Sequence, residues 1–323
     1  MVVDQNIDES PVDETSRGDR AHRFIFARFI LCRFIPGRFI RERHARVCEC
    51  GAVRTGVWLY PAAPAERLVD AIRILDDGGV DEVWVADEGV ARDPFAVLAV
   101  AAVRTPRIRL GVGITSPLLR HPGAAASAAM TIDELAGGGR FVLGWGVGGH
   151  ESLGPFGLTA DRPVRLLAEA LRTARAVVEG TDGDRYHPPA HAAPARSIPQ
   201  YVGARGPQLN ALASREADGV FLSGFPDRDD SDATLTDVVT IARSVRPIDV
   251  ALYSSIRFRT SADQWSTAGS ADELADHLVR LAIRHRPTCI GAALVDGDDP
   301  VTMAEDAVRT FHSVRDRLPP SPD

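Results

Sequence analysis

From Gly56 onward the chain alternates between two hydrophobic patterns. Short apolar runs, bounded by glycine, proline or charge, are each followed by a longer stretch with apolar positions at helical spacing. GVWLY (56–60) leads into a helical pattern ending at Leu75, EVWVAD (82–87) into one from Pro94 to Val103, and IRLGVGI (108–114) into one from Gly123 to Leu135. RFVLGWGV (140–147) precedes a longer loop and a helix over 163–179, PQYVGA (199–204) a helix over 206–216, and GVFLSG (219–224) a helix over about 232–243. IDVALYSSI (248–256) and CIGAALV (289–295) precede helices over 271–285 and 301–316. The runs are apolar almost throughout, which means both faces are buried, as in a parallel sheet wrapped by helices. Eight such strand–helix units predict an α/β protein with a closed (β/α)8 TIM barrel, a fold of about 250 residues. An open doubly wound sheet is the alternative. It is weakened because GVWLYPAAP, and no GxGxxG, follows the first strand.

The barrel pattern begins near Val53, which divides the chain into residues 1–52, a barrel over 53–318 and a tail at 319–323. Residues 23–42 repeat a pentad, RFIFA, RFILC, RFIPG, RFIRE. Five residues advance a helix by about 140°, so this period lines up neither a helix face nor a strand face. The expectation is a disordered, arginine-rich extension from a misassigned start; a membrane-surface or partner-binding arm is the alternative. Arginine at every fifth position interrupts the apolar core that a signal peptide needs, and no run is long and apolar enough to span a bilayer. A cytoplasmic protein is expected.

All 37 basic residues are arginine, and the net charge is -7. With no basic stripe in the barrel region, nucleic-acid binding is not expected. Of the four cysteines only Cys289 falls in the barrel region, which excludes a disulfide scaffold.

In a barrel, chemistry sits at the C-terminal ends of the strands. Those ends carry Tyr60-Pro61, Asp87-Glu88, Gly113 to Ser116, Gly146 to Glu151, Gly203 to Gly206, Ser223-Gly224, Ser254-Ser255 and Asp296. Glycines and small hydroxyls dominate, which suits a planar, phosphate-bearing cofactor approaching the backbone closely. A hydrolase is not indicated: there is no GxSxG elbow. No histidine pair has metal-ligand spacing, since the prolines in HPPAH (187–191) forbid a helix face. Gly203-Ala204-Arg205-Gly206 precedes a helix and reads equally as a phosphate site or a plain turn. Asp87 continues its strand and is the better cofactor ligand of the acidic pair. His150 and Glu151 can reach the mouth, whereas Trp145 is expected to pack, and His121 reads equally as a helix start or a site residue.

The combination WVADEGVARDPF (84–95), RIRLGVGITSPLLRHP (107–122), TIDELAGGGRFVLGWGVGG (131–149) and YVGARGPQLNALASREADGV (201–220) resembles the luciferase-like flavin-dependent oxidoreductases. It is most similar to their methylenetetrahydromethanopterin reductase subgroup, which uses the deazaflavin coenzyme F420. The resemblance implies a TIM barrel with a non-prolyl cis peptide at Gly113–Ile114, in a bulge that backs the cofactor ring. It implies cofactor contacts from Asp87, Gly113, Ile114, Thr115, Gly146 and Gly148, with Gly203, Ala204, Arg205 and Gly206 near the phosphate. Glu88, His150 and Glu151 are the candidate proton handlers. The implied activity is hydride transfer between F420 and a small organic substrate, in a homodimer. The alternatives are an FMN-dependent monooxygenase using O2, and a degenerate, non-catalytic barrel. Gly149 and Glu88 stand where sugar-phosphate-oxidising relatives keep a carboxylate and a histidine, which argues against that substrate. The LAGGGR turn is one residue longer than usual, and the segment 257–270 is shorter than the family norm.

Overall fold

Eight parallel strands close on themselves. In the computed structural model, which describes residues 53–224 and 229–319, the strands are β1 (Arg54–Leu59), β2 (Glu82–Val85), β3 (Arg109–Thr115), β4 (Phe141–Trp145), β5 (Gln200–Gly203), β6 (Gly219–Ser223), β7 (Asp249–Arg257), a two-residue β8 (Thr267–Ala268) and β9 (Cys289–Leu294). Their order is β6-β5-β4-β3-β2-β1-β9-β7-β8, and β6 also pairs with β7, which closes the barrel and leaves β8 outside it. The expectation of an extension over residues 1–52 lies outside the described residues.

The helices are α1 (Ala65–Asp77), α2 (Pro94–Arg104), α3 (Pro122–Leu135), the four-residue α4 (His150–Leu153), α5 (Pro163–Glu179), α6 (Pro207–Glu216), α7 (Asp229–Ala242), α8 (Ala271–His285) and α9 (Pro300–Arg317). Their starts follow local chemistry. The Asp93 side chain caps α2, with proline in the first turn. Ser270 and Glu273 form a reciprocal capping box on α8. The predicted strands and helices match within a few residues. Two features were not predicted: α4 with the 3-10 turn Gly154–Phe156, inside the segment read as a long loop, and β8.

Between the sheet and the helices lies the main apolar core. The barrel interior is filled separately, by Trp84, Val142, Tyr201, Phe221, Ala251, Tyr253 and Cys289, with Trp58 packed against them. Glycines on neighbouring strands make room for these rings. A Cβ on Gly111 would lie 2.6 Å from Trp84, one on Gly219 2.6 Å from Tyr201, and one on Gly291 2.2 Å from Tyr253.

The N-terminal end of the barrel is plugged by charge. Arg54 Nε lies 3.2 Å from Glu82 Oε2, and Arg54 Nη2 lies 3.1 Å from Asp249 Oδ2. Arg109 reaches both carboxylates. The Tyr253 hydroxyl and the Trp84 indole N–H donate to Glu82 Oε1 at 2.9 and 2.8 Å, and the Tyr201 hydroxyl donates to Asp249. Burial pushes the Glu82 carboxyl up, but Arg109 and Arg54 outweigh it and hold the group below its ordinary value. With this end sealed, the strand C-termini form the mouth.

Candidate active site

The peptide between Gly113 and Ile114 is cis. The β3–β4 register shifts between Val112 and Thr115, so the expected bulge stands at the end of β3. It turns the Ile114 side chain toward glycines of the two next strands. A Cβ on Gly146 would fall 1.6 Å from Ile114 Cδ1, and Cβ atoms on Gly144 and Gly203 would each come within 3.1 Å of Ile114. Gly146 and Gly203 are therefore small because Ile114 lies over them, whereas a Cβ on Gly144 would first meet the Val112 carbonyl, at 2.4 Å. Ile114 is partly exposed and forms a shelf in the mouth. The Trp58 indole donates to the Gly113 carbonyl from inside the barrel. The Gly146 N–H donates to the Thr115 carbonyl at 2.9 Å, and Ser116 Oγ donates to the Val147 carbonyl at 3.1 Å, which lock the β3 and β4 loops together.

Beside this shelf is an acidic rim. Fully buried Thr115 donates its hydroxyl to Asp87 Oδ2 at 2.6 Å. Burial raises the Asp87 carboxyl above its ordinary value despite that bond. Glu88 is also raised, first by burial and then by the neighbouring charges of Glu151 and Asp87. Tyr60, at the end of β1, is 40% exposed; its hydroxyl is raised by burial and by Glu88 and Glu151. The structure thus brings Asp87, Glu88 and Glu151 into one electrostatic cluster. Sequence reading placed Tyr60 at a strand end without assigning it to this group, because strand position does not show which neighbouring loop folds back.

Glu151 is carried by α4, which Gly149 and Ser152 start by exchanging bonds: Gly149 N–H donates to Ser152 Oγ at 2.9 Å. His150 opens this helix, and its side chain lies outside the described residues. Gly148 is left-handed at φ 82, where a side chain would be strained and would also press on Leu153. A cavity of about 270 Å³ opens beside Asp87, between Leu118, Arg120, Phe156 and Leu158. Trp145 is fully buried and donates to Gln200, a packing role as expected. His121 accepts the Gly123 N–H through Nδ1 and is a cap of α3.

Across the mouth, Ala204 is buried and Arg205 exposed at the end of β5. Arg205 Nε donates to the Ser223 carbonyl at 3.0 Å. Gly206 caps α6 with no side-chain hydrogen bond, leaving the first N–H groups of that helix without a side-chain partner. A Cβ on Gly149 or Gly206 would meet nothing within 4 Å, so both positions border open space. Among the described residues no group of three or more His, Cys, Asp and Glu could hold a metal ion.

The donor set fits a ring-bearing organic phosphate. It offers an apolar shelf at Ile114, a carboxylate fixed by Thr115, open glycine backbone at two loops, and a guanidinium beside a helix start.

Comparison with known proteins gives the family and the fold. The profile of the family described as luciferase-like monooxygenase matches residues 50–287. A 5,10-methylenetetrahydromethanopterin reductase from Archaeoglobus fulgidus is 31% identical over 183 residues, covering 55% of each chain, so the match spans about half that relative's length. Among solved structures, the coenzyme F420-dependent tetrahydromethanopterin reductase from Methanopyrus kandleri superposes with a TM-score of 0.69 at 21% identity, covering 83% of this chain and 99% of that one. A monooxygenase from Streptomyces bottropensis superposes with a TM-score of 0.63 at 17% identity, covering 82% and 98%. These two structural likenesses speak for the fold.

Proposed function

The chain belongs to the luciferase-like monooxygenase family, and within it we propose a coenzyme F420-dependent oxidoreductase acting on a small organic substrate. The observation that carries this reading is the acidic cluster of Asp87, Glu88 and Glu151 on one rim of the mouth. Reduction by hydride leaves the substrate short of a proton, and a carboxyl group whose hold on its proton is strengthened by burial and by neighbouring carboxylates is suited to give one. Similarity to a methylenetetrahydromethanopterin reductase supports the same class.

Bound F420 would supply a hydride at its deazaflavin C5. The residues suited to hold the ring are Asp87, Gly113, Ile114, Thr115, Gly146 and Gly148; Gly203, Ala204, Arg205 and Gly206 suit the phosphate. Ile114 gives the ring an apolar support, and Thr115 fixes the Asp87 carboxylate that would face it. Glu88 is the candidate proton donor, and Glu151 helps to keep it protonated. The protein's part is positioning and electrostatics.

The second reading is an FMN-dependent monooxygenase, supported by the structural likeness to a monooxygenase. Titration of the purified protein with F420 and with FMN, followed by tryptophan quenching, separates the two. Tight F420 binding with weak FMN binding is expected. Tight FMN binding without F420 binding, with substrate-dependent oxygen uptake by the reduced-FMN complex, would overturn the proposal in favour of the monooxygenase.

A further inference from the structure

Trp265 is large, apolar and 55% exposed, yet it is held in place. Its backbone N–H donates to Asp263 Oδ1 at 2.7 Å, in a turn where Ser266 Oγ also donates to Asp263 at 2.8 Å. Arg257, the last residue of β7, grips the same turn. Its Nη2 donates to Asp263 at 2.8 Å and its Nε to Ser266 Oγ at 2.8 Å. β8 then pairs with the end of β7, which fixes the turn to the barrel mouth. An exposed indole on so constrained a turn implies a surface that something covers.

The indole faces Arg205, whose guanidinium carbon lies 6.0 Å from the ring centroid. The rest of the Arg205 environment fixes it as well. Its Nε is bound to the Ser223 carbonyl, and Gly224, left-handed at φ 78, leaves room for it: a Cβ there would fall 2.3 Å from Nη2. Among the described residues no carboxylate pairs with Arg205. The ends of β5, β6 and β7 therefore present a positioned cation whose Nη donors meet no carboxylate among the described residues, opposite the acidic rim of Asp87, Glu88 and Glu151. This separation of charge favours a ligand whose anionic end points toward Arg205.

Building on the proposed cofactor site, we propose that Trp265 is a positioning residue, holding the Arg205 guanidinium for the phosphate of the bound cofactor. The turn after β7 places the indole where it can do this.

The test compares the full chain with Trp265→Ala, Trp265→Phe, Arg205→Met and the Trp265→Ala/Arg205→Met double variant. Dissociation constants for F420 and FMN are measured by equilibrium dialysis at low and high salt. For whichever cofactor the wild type binds, Trp265→Ala and Arg205→Met should each weaken binding about tenfold. The double variant should be no weaker than Arg205→Met, because the indole acts through the arginine. Trp265→Phe should stay within about twofold, since a phenyl face still attracts the cation. Arg205→Met should also flatten the salt dependence. Wild-type affinity in Trp265→Ala, or additive losses in the double variant, would overturn the positioning role while wild-type binding left the cofactor reading standing. Wild-type protein that binds neither cofactor would overturn that reading. Inorganic phosphate then decides the pair separately: a change in tryptophan emission that both Trp265→Ala and Arg205→Met abolish supports it, and no response refutes it.

Discussion

Ile114 explains the glycines around it. Its Cδ1 occupies the space a side chain at Gly146 would need, and the contact is at the end of a side chain that can turn. Gly146→Ala should therefore push Ile114 up into the mouth rather than unfold the barrel. A loss of about 1–2 kcal/mol by urea unfolding is expected, with cofactor affinity falling more sharply. Adding Ile114→Val removes the colliding methyl and should recover part of the stability. At Glu88 the expectation is kinetic. Its proton is held more tightly than usual by burial, Glu151 and Asp87, so the active form is the protonated one and is lost as pH rises through the raised value. Glu88→Gln should lower kcat by about 10²-fold or more and abolish the alkaline limb of the kcat profile. A retained limb would assign the proton to another group.

Between elements, the α3–β4 turn shows how one side chain joins several. Gly137, Gly138 and Gly139 are all left-handed, at φ 84, 92 and 79, and they return the chain to Arg140. Arg140 then donates to the carbonyls of Ala136, Ile108, Ala102 and Thr105, at the ends of α3 and α2 and the start of β3. Its planar fork meets acceptors that a lysine could not satisfy together. Arg140→Met leaves them unpaired and should destabilise by roughly 3 kcal/mol, read from the denaturant midpoint. The long LAGGGR turn was visible in the sequence, but its purpose was not, because three of those four carbonyls come from residues before the helix it ends. The two- and four-residue elements β8 and α4 were invisible for a related reason. They are too short to carry a period, and Arg257 with Asp263, and Ser152 with Gly149, hold them in place.

Over the whole molecule, carboxylates at the two ends of the barrel respond to pH in opposite senses. Glu82 and Asp249 are held below their ordinary values, as Arg54 and Arg109 outweigh burial. Their contribution to stability is complete above the ordinary carboxylate range and is lost as pH falls through the lowered values. Asp87 and Glu88 are raised, so they weaken the fold at neutral pH and cease to do so on acidification. Glu82→Gln should destabilise by about 3 kcal/mol near pH 7 by leaving two half-buried arginines short of a partner, with a smaller loss at low pH. Glu88→Gln should raise the melting temperature by about 1–2 °C at pH 7 and leave it unchanged below the carboxylate range. Melting curves against pH for both variants check the pair of signs.

Eight apolar runs and eight helical patterns were enough to determine the barrel, because burial on both faces of a strand and on one face of a helix is written locally. The strand ends likewise named Asp87, Glu88 and Arg205, since in a barrel those ends are the mouth. The cis peptide at Gly113–Ile114 came from resemblance, because no local propensity of Gly-Ile announces it. Only the tertiary structure decided which glycines border open space and which make room for Ile114, Trp84 or Tyr253. It alone set Tyr60 beside Glu88 and Glu151, and Trp265 against Arg205. Those pairings join residues far apart in sequence, and closing the barrel is what brings them together.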